Sequence, residues 1–318
     1  MALYVITGVA GFIGSSLARA VLALGDQVVG VDNLATGRRE NIADLANKMD
    51  FREFDINELS KMSAACRGAD VVLHQAAIAS VPRSVRDPET TNRANIDGTL
   101  AVLMAARDAG VKRVVYAASS SAYGDTPTLP KREDMKPNPR SPYAVSKLAG
   151  ELYMSVFAKC YGMEAVSLRY FNIFGPRQDA TSPYSAVLAK FIPAMLRGEA
   201  PTIFGDGEQS RDFNYIDNCV HANLAASKAP AEKVAGRVFN VARGERFTLK
   251  QLFEMLKPLT GYKGEAKYGP EREGDVKHSL ADISAAQAAF GYDPKVSFQE
   301  GLKRTVEWYR AEAKAANA

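Results

Sequence analysis

Cysteine is scarce in this 318-residue chain, and the three present, Cys66, Cys160 and Cys219, are scattered without metal-type spacing. An odd number of isolated thiols suits a reducing compartment better than a disulfide framework. No apolar run approaches the length of a membrane span. Neither sign of charge dominates. The 40 basic and 36 acidic residues leave a net charge of +4, too balanced to argue for nucleic acid or a membrane surface as partner. Short basic clusters such as Gly37-Arg38-Arg39 and Lys131-Arg132 read as solvated loops. There is no internal repeat and no low-complexity tract. Met1 leads directly into Leu3-Tyr4-Val5-Ile6, which reads as a first strand and not as a charged leader. The expectation is a cytoplasmic chain without a metal.

What the chain does contain is a rhythm. A hydrophobic fraction of 47% supplies ample core. In the first half, short β-branched runs alternate with longer helical stretches. Candidate strands are Leu3–Thr7, Gln27–Asp32, Asp50–Phe54, Val71–Gln75, Arg113–Ser119 and Glu164–Tyr170. Candidate helices are Gly11–Leu24, Glu58–Cys66, Pro88–Ala109 and Pro142–Tyr161. This alternation predicts an α/β fold with a Rossmann-type doubly wound parallel sheet. After Tyr170 the rhythm breaks at Phe174-Gly175-Pro176-Arg177, and a smaller α/β domain is expected from parts of the second half. The expected division is a dinucleotide-binding domain over residues 1–173, with 207–233 returning to it, and a second domain over 174–206 and 234–318. The alanine-rich end, Ala311–Ala318, reads as a frayed helix terminus.

The first turn reads Thr7-Gly8-Val9-Ala10-Gly11-Phe12-Ile13-Gly14. Gly8, Gly11 and Gly14 follow an apolar strand and open an apolar helix, the context a dinucleotide fingerprint requires. Such glycines permit a tight turn, close approach of a pyrophosphate and close helix–strand packing, with the helix N-terminus facing the phosphates. Phe12 and Ile13 stand on that N-terminus. The second strand ends in Asp32-Asn33, and a carboxylate there accepts from both adenosine ribose hydroxyls and repels a 2′-phosphate. This favours NAD over NADP, with Arg38 and Arg39 as the counter-signal. Asp55-Ile56 after the third strand could cap the adenine. Gln75-Ala76-Ala77 after the fourth offers small side chains to a dinucleotide, or simply packs tightly.

About a hundred residues further on stand Ser119 and Tyr143-Ala-Val-Ser-Lys147. On a helix, residues i and i+4 share a face, so Lys147 can lie beside Tyr143. A neighbouring ammonium and a positively charged nicotinamide favour the phenolate and lower the phenol from its usual value near ~10. Tyr143 could then take a proton from a sugar or alcohol hydroxyl while hydride leaves the same carbon, with Ser119 bonding that hydroxyl.

With these motifs the chain resembles the extended short-chain dehydrogenases/reductases, and among them the UDP-hexose 4-epimerases, closest to those acting on UDP-N-acetylglucosamine. The resemblance covers essentially the whole chain. It is carried by the glycine turn, Asp32-Asn33, His74-Gln-Ala-Ala77, Ala118-Ser-Ser-Ser-Ala-Tyr-Gly124, Tyr143-Ala-Val-Ser-Lys147, Leu168-Arg-Tyr-Phe-Asn172, Ser210-Arg-Asp212 and Arg272-Glu-Gly-Asp275. It implies that Tyr170 borders the nicotinamide and that Asn172 contacts the pyrophosphate and sugar. It implies that Arg211 and Arg272 clamp the UDP diphosphate, a task suited to guanidinium forks, and that Asp275 binds the uridine ribose. It also implies a homodimer through the 88–109 and 142–161 helices, to which Leu148, Leu152, Met154, Val156 and Phe157 would lend apolar surface.

The serine run discriminates among reactions. Related dehydratases place an Asp-Glu pair after the catalytic hydroxyl, and related decarboxylases usually a glutamate. Ser120 and Ser121 cannot act as acid and base at pH 7. The resemblance therefore implies a C4 epimerisation through a 4-keto sugar, with NAD staying bound. In relatives confined to UDP-glucose and UDP-galactose, one position after the Arg272 motif is a tyrosine; here it is Ser279, which leaves room for a 2-acetamido group or makes the pocket permissive. Ala79, Ser120, Ser121, Asn172, Gln178, Ala186 and Val187 would complete the sugar site. Two alternatives stay open: a UDP-glucuronate 4-epimerase, and a non-catalytic NAD-binding sensor on the same fold.

Overall fold

All six expected strands and three of the four expected helices appear where their patterns place them, in a computed structural model that describes residues 1–179, 187–271 and 277–315. The first half runs β1 (Leu3–Thr7), α1 (Phe12–Ala23), β2 (Gln27–Asp32), β3 (Asp50–Glu53), α2 (Leu59–Cys66), β4 (Val71–His74), α3 (Val81–Arg86), α4 (Pro88–Asn92), α5 (Gly98–Asp108), β5 (Arg113–Ser119), α6 (Pro142–Tyr161) and β6 (Glu164–Tyr170). After it come β7 (Ile173–Phe174), α7 (Val187–Leu196), β8 (Thr202–Phe204), β9 (Ser210–Arg211), β10 (Asn214–Tyr215), α8 (Ile216–Lys228) and α9 (Ala231–Val234). The chain closes with β11 (Val238–Val241), β12 (Phe247–Thr248), α10 (Leu249–Thr260), β13 (Lys267–Gly269), α11 (Ser284–Phe290) and α12 (Phe298–Ala315). None of these helices is long and apolar enough to cross a membrane.

The main sheet has the order β11-β6-β5-β4-β1-β2-β3, and all its pairs are parallel. Its strands are nearly continuous apolar runs because both faces are covered. On one face Leu17, Ala18 and Val21 of α1 pack with Ala222 and Ala226 of α8 and Ala286 and Ala289 of α11. On the other, Met62 of α2, Val102 and Leu103 of α5, and Met154 and Phe157 of α6 fill the space. A separate core gathers Phe191 of α7, Leu252 and Phe253 of α10, and Phe298, Leu302 and Val306 of α12.

Two sequence expectations need correction. Residues 238–241, expected in the second domain, form β11, which pairs with β6 from Val238↔Ser167 to Val241↔Tyr170 and extends the main sheet. The run Val-Phe-Asn-Val carries its buried residues to a sheet edge that β6 would otherwise leave unpaired. The expected helix over 88–109 is also not uniform. Arg93–Asp97 forms one π-helical turn between α4 and α5. There the buried Asn95 accepts from the Ile78 amide at 2.8 Å and donates to the Ser146 hydroxyl at 2.9 Å. A side chain tied to neighbouring segments in this way accounts for a local break in the i→i−4 ladder.

Helix α6 has conventional signals at both ends. Ser141 accepts from the Ala144 amide, Pro142 occupies the first turn, and Gly162 closes the helix at φ 66°. Helix α1 is different: Gly11 caps it without a side-chain bond, and its first turn carries no acid.

His74 at the end of β4 is a buried polar node. Thr99 Oγ1 donates to the Asn95 carbonyl at 2.6 Å, so it accepts from His74 Nε2–H at 3.0 Å; Nδ1 then accepts from Thr7 Oγ1 at 2.7 Å. Burial, helped by the Lys147 charge, pushes His74 from 6.5 down to about 3. The unfolded chain therefore takes up a proton that the folded chain refuses, and stability must fall as pH drops from about 6.5 towards 3, by about 1.4 kcal/mol per unit at most. Thermal melting from pH 7 to pH 5 should show this loss in the wild type and a shallower slope in His74→Gln.

Candidate active site

The carboxyl ends of β1, β2, β4, β5 and β6 carry Thr7, Asp32, His74, Ser119 and Tyr170. The strand order reverses between β1 and β4, which is where open α/β sheets bind ligands. The glycine turn fits this place by close contact. A Cβ on Gly8, whose φ is +68°, would lie 2.7 Å from the Ala76 nitrogen, and one on Gly14 would lie 2.1 Å from the Gly8 oxygen. Only glycine lets strand, turn and helix approach so closely. The α1 N-terminus, lacking a capping side chain, presents its amides to an anion.

Beside this turn is a cavity of about 440 Å³ lined by Gly8, Gly11, Asp32, Asn33, Asp55, Ile56, Gln75, Ala76 and Ala77, all singled out in the sequence. Asn57, Ile78, Arg83, Thr90 and Arg93 also line it and were not. Asn57 and Ile78 simply follow Asp55-Ile56 and Gln75-Ala76-Ala77, whereas Arg83, Thr90 and Arg93 carry no motif signal and are brought there by the folding of α3, α4 and the π turn over the sheet. Asp32 is 7% exposed; it accepts from the Ala10 amide at 2.9 Å and the Leu34 amide at 2.8 Å. Burial pushes its carboxyl up and these amides oppose that. A Cβ at Gly37 would come within 2.9 Å of both Asp32 carboxylate oxygens, so the loop closes over them. Asn33 donates to Asp55 at 2.9 Å, and Asp55 also accepts from the Asn57 amide and side chain. The two arginines that spoke for a 2′-phosphate are occupied: Arg38 pairs with Glu40 and Asp179, and Arg39 with Glu53. The donor set fits NAD.

Ser119 stands opposite Tyr170 in the β5–β6 register. Its Oγ accepts from the Ser121 hydroxyl at 2.9 Å and the Ser121 amide at 3.2 Å, so its own proton is not committed to Ser121. Tyr143 and Lys147 share one stripe of α6, and the half-buried Tyr143 is anchored by its amide on the Ser84 hydroxyl. Lys147 is 3% exposed and donates to the Ala117 carbonyl at 2.9 Å. The lowered phenol expected from sequence is not what the protein groups produce. Burial pushes Tyr143 up, and the opposing group is the Ser119 hydroxyl, not Lys147. Burial also pushes Lys147 down to about 7. The cause is shared: desolvation costs each charged form more than one neighbour returns.

Tyr170 hydroxyl bonds to Gln75 at 3.0 Å and to Asn223 of α8, a residue the sequence reading did not single out. Asn172, exposed and at φ 25°, donates to the Asp212 carbonyl at 3.1 Å and the Ser279 hydroxyl at 3.3 Å. Arg211 donates to the carbonyls of Ser210 and Lys277. Gln178 donates to the Ile173 carbonyl, and Val187 opens α7. Ser120 begins the short turn after β5, and Ala79 is exposed beside the entrance of α3. Phe12 and Ile13 face the second core from the start of α1. Ala186, Arg272 and Asp275 lie outside the described residues.

Asp212 was not foreseen as a binding residue, yet it joins three segments. Its fully buried carboxylate accepts from the amides of Arg243, Gly244 and Ala281, while its own amide donates to Ser279. It thereby fixes Arg211, Ser279 and the 243–244 loop relative to one another.

Comparison with known proteins agrees with this geometry. Residues 4–242 match the model of the NAD dependent epimerase/dehydratase family. The chain is 39% identical to a UDP-glucose 4-epimerase of Mycolicibacterium smegmatis, covering 96% of this chain and 97% of that one. Among solved structures, it superposes on a UDP-glucose 4-epimerase of Thermotoga maritima with UDP-glucose at a TM-score of 0.93 and 40% identity, over 98% of this chain and 99% of the other. It superposes equally, with the same score, identity and coverage, on a UDP-N-acetylglucosamine 4-epimerase of Methanobrevibacter ruminantium M1 in complex with UDP-N-acetylmuramic acid. With its parallel sheet, its glycine turn and its serine–tyrosine–lysine site, this chain belongs to the NAD dependent epimerase/dehydratase family and is an enzyme that uses NAD.

Proposed function

We propose that the enzyme interconverts UDP-hexoses that differ at C4, with UDP-N-acetylglucosamine and UDP-N-acetylgalactosamine as the preferred pair and UDP-glucose and UDP-galactose as a second. The observation that carries this reading is a strand end on which Ser119, whose hydroxyl lowers the Tyr143 phenol, is followed only by Ser120 and Ser121. Such a site moves one proton and one hydride but has no acid–base pair for water loss. Tyr143 takes the proton of the sugar 4-hydroxyl, Ser119 orients that hydroxyl, and the Lys147 charge favours the phenolate. NAD supplies reversible hydride storage, so the reaction has no net redox change. The 4-keto sugar turns its other face, and Tyr143 returns the proton to the epimeric alkoxide. Arg211 and Arg272 are assigned to the diphosphate, Asp275 to the uridine ribose, and Asn172 to the pyrophosphate and sugar.

The preference for the acetylated sugar rests on Ser279. Its Oγ accepts from Asn172 and from the Asp212 amide, which leaves its proton for an acceptor such as an acetamido carbonyl. Its small volume leaves room for that group.

Tyr143→Phe should keep the fold and bound NAD and lose at least about a hundredfold in kcat, the usual worth of a positioned acid–base group. NMR detection of the C4 epimer from UDP-N-acetylglucosamine, UDP-glucose and UDP-glucuronate reads both this loss and the sugar range. Turnover of UDP-glucuronate alone would overturn the assignment.

Ser279→Tyr should suppress kcat/KM for UDP-N-acetylglucosamine while sparing that for UDP-glucose, because a ring excludes the acetamido group sterically. An equal fall for both sugars would reduce Ser279 to a packing residue.

A homodimer is proposed through α6, with a corrected contact face. Met154 and Phe157 are buried in the core, whereas Val145, Leu152 and Val156 are 50%, 61% and 48% exposed, next to exposed Val81 and Val85 of α3. A second copy covering this stripe accounts for it. Light scattering at micromolar concentration should give a dimer in the wild type and a monomer in Leu152→Glu/Val156→Glu.

A further inference from the structure

One ion pair differs from the rest by its burial. Arg169 of β6 grips Glu151 of α6 with two prongs, Nε to Oε1 at 2.9 Å and Nη2 to Oε2 at 2.7 Å. The two side chains are 4% and 3% exposed, and no other ion pair among the described residues has both partners so excluded from water. Such a pair is poor evidence for a stability device, because desolvation offsets its attraction and an apolar pair of equal volume is often as stable. Its address is more informative. Tyr143, Lys147 and Glu151 recur at four-residue intervals, so one stripe of α6 presents a phenol, an amine and a carboxylate in order.

The amine has little else to hold its charge. Lys147 Nζ bonds to the Ala117 carbonyl and lies 5.0 Å from the centre of the Tyr116 ring. From β4 it faces His74, which burial and the Lys147 charge keep neutral. From β5 it faces Tyr116, whose phenol burial pushes far up and so keeps protonated. From β6 comes Arg169, whose charge is taken by Glu151 and whose guanidinium lies 4.5 Å over the Tyr123 ring. Glu133 faces Arg169 from the loop after β5. On the helices packed against α6, Arg86 and Glu89 are exposed and Arg83 is half-buried, while Arg93 and Asp97 of the π turn are exposed. Solvent screens these outer charges.

We propose that Glu151 is a positioning residue for this site: its carboxylate, oriented by Arg169, keeps the Lys147 amine protonated beside Tyr143. This rests on the reading of Tyr143 and Lys147 as the catalytic pair. The direction of the titration agrees, since burial lowers Lys147 to about 7 and Glu151 acts against that shift. Burial raises the Glu151 carboxyl, and its two bonds to Arg169 oppose that rise.

The test uses the NAD-loaded enzyme and two readings: the pH dependence of kcat, and the 15N signal of Lys147 Nζ against pH. The sign follows from the chemistry. Activity needs the protonated amine, so loss of Glu151 should move the alkaline limb of kcat to lower pH. Glu151→Gln should shift the limb and the Nζ midpoint down by about one pH unit, which is about a tenfold loss of kcat at pH 8, and the apolar pair Glu151→Leu/Arg169→Met should shift them the same way by less, because it also removes the Arg169 charge. KM for the UDP-sugar should stay within about twofold, as expected when ground-state binding is untouched. Glu151→Asp, which keeps the charge, should keep the wild-type limb. A double variant with unchanged melting temperature and an unchanged limb and midpoint would overturn the proposal. So would an aspartate variant that shifts as far as the glutamine one, and so would the failure of every uncharged replacement at 151 to fold, since each makes the pair purely structural. Lys147→Met serves as the reference: if it turns over normally, the catalytic reading itself falls, a result distinct from an unshifted limb.

Discussion

At the carboxyl end of β1, backbone packs directly on backbone. A methyl on Gly14 would stand 2.1 Å from the Gly8 oxygen, and one on Gly8 would stand 2.7 Å from the Ala76 nitrogen after β4. This contact draws the α1 N-terminus down onto the point where strand order reverses, and it sets how far the cofactor cavity can extend. Asp32 is placed by the same turn, because its carboxylate accepts the Ala10 amide within it. A side chain at either glycine would have to separate strand from helix, and Asp32, Gln75 and Ala76 would lose their common wall.

The other half of the site depends on a low-dielectric strip beneath α6. Tyr143, Lys147 and Glu151 follow one another from a half-buried phenol to the enclosed Glu151–Arg169 ion pair, and His74 stays neutral beside them because burial and the Lys147 charge disfavour its cation, while two threonines fix its tautomer. Each group is displaced from its ordinary titration by burial first and by a partner second. Their titration is therefore a property of the group and not of one residue.

Where the main sheet meets the loops beside it, polar clamps take over from apolar contact. Asn240 is fully buried on β11. It donates to the carbonyls of Lys131 and Asp282 and accepts from the Tyr123 hydroxyl, while its amide donates to Glu133. Asp212 performs a similar task for the 243–244 loop and the 279–281 segment. Loops carry binding residues only when a scaffold fixes them, and here two buried polar side chains provide that fixing.

Local pattern was enough for the parallel sheet, because alternating apolar runs and helical stretches have few other ways to bury themselves. It was enough for Gly8, Gly14 and Asp32, since backbone approach and a strand-end carboxylate leave signatures of a few adjacent residues. It was enough to place Tyr143 and Lys147 together on α6, since four-residue spacing on a helix is a statement about one face. Glu151 lay on that same spacing and was legible in principle. Its meaning was not, because its partner Arg169 comes from a strand eighteen positions away. The pairing of β11 with β6, the π turn at Asn95, the face of α6 that meets solvent and the hubs at Asp212 and Asn240 were all decided by tertiary structure. Each depends on which distant segment arrives beside a residue, and a buried polar group shows its role only once the donors and acceptors that satisfy it are in place.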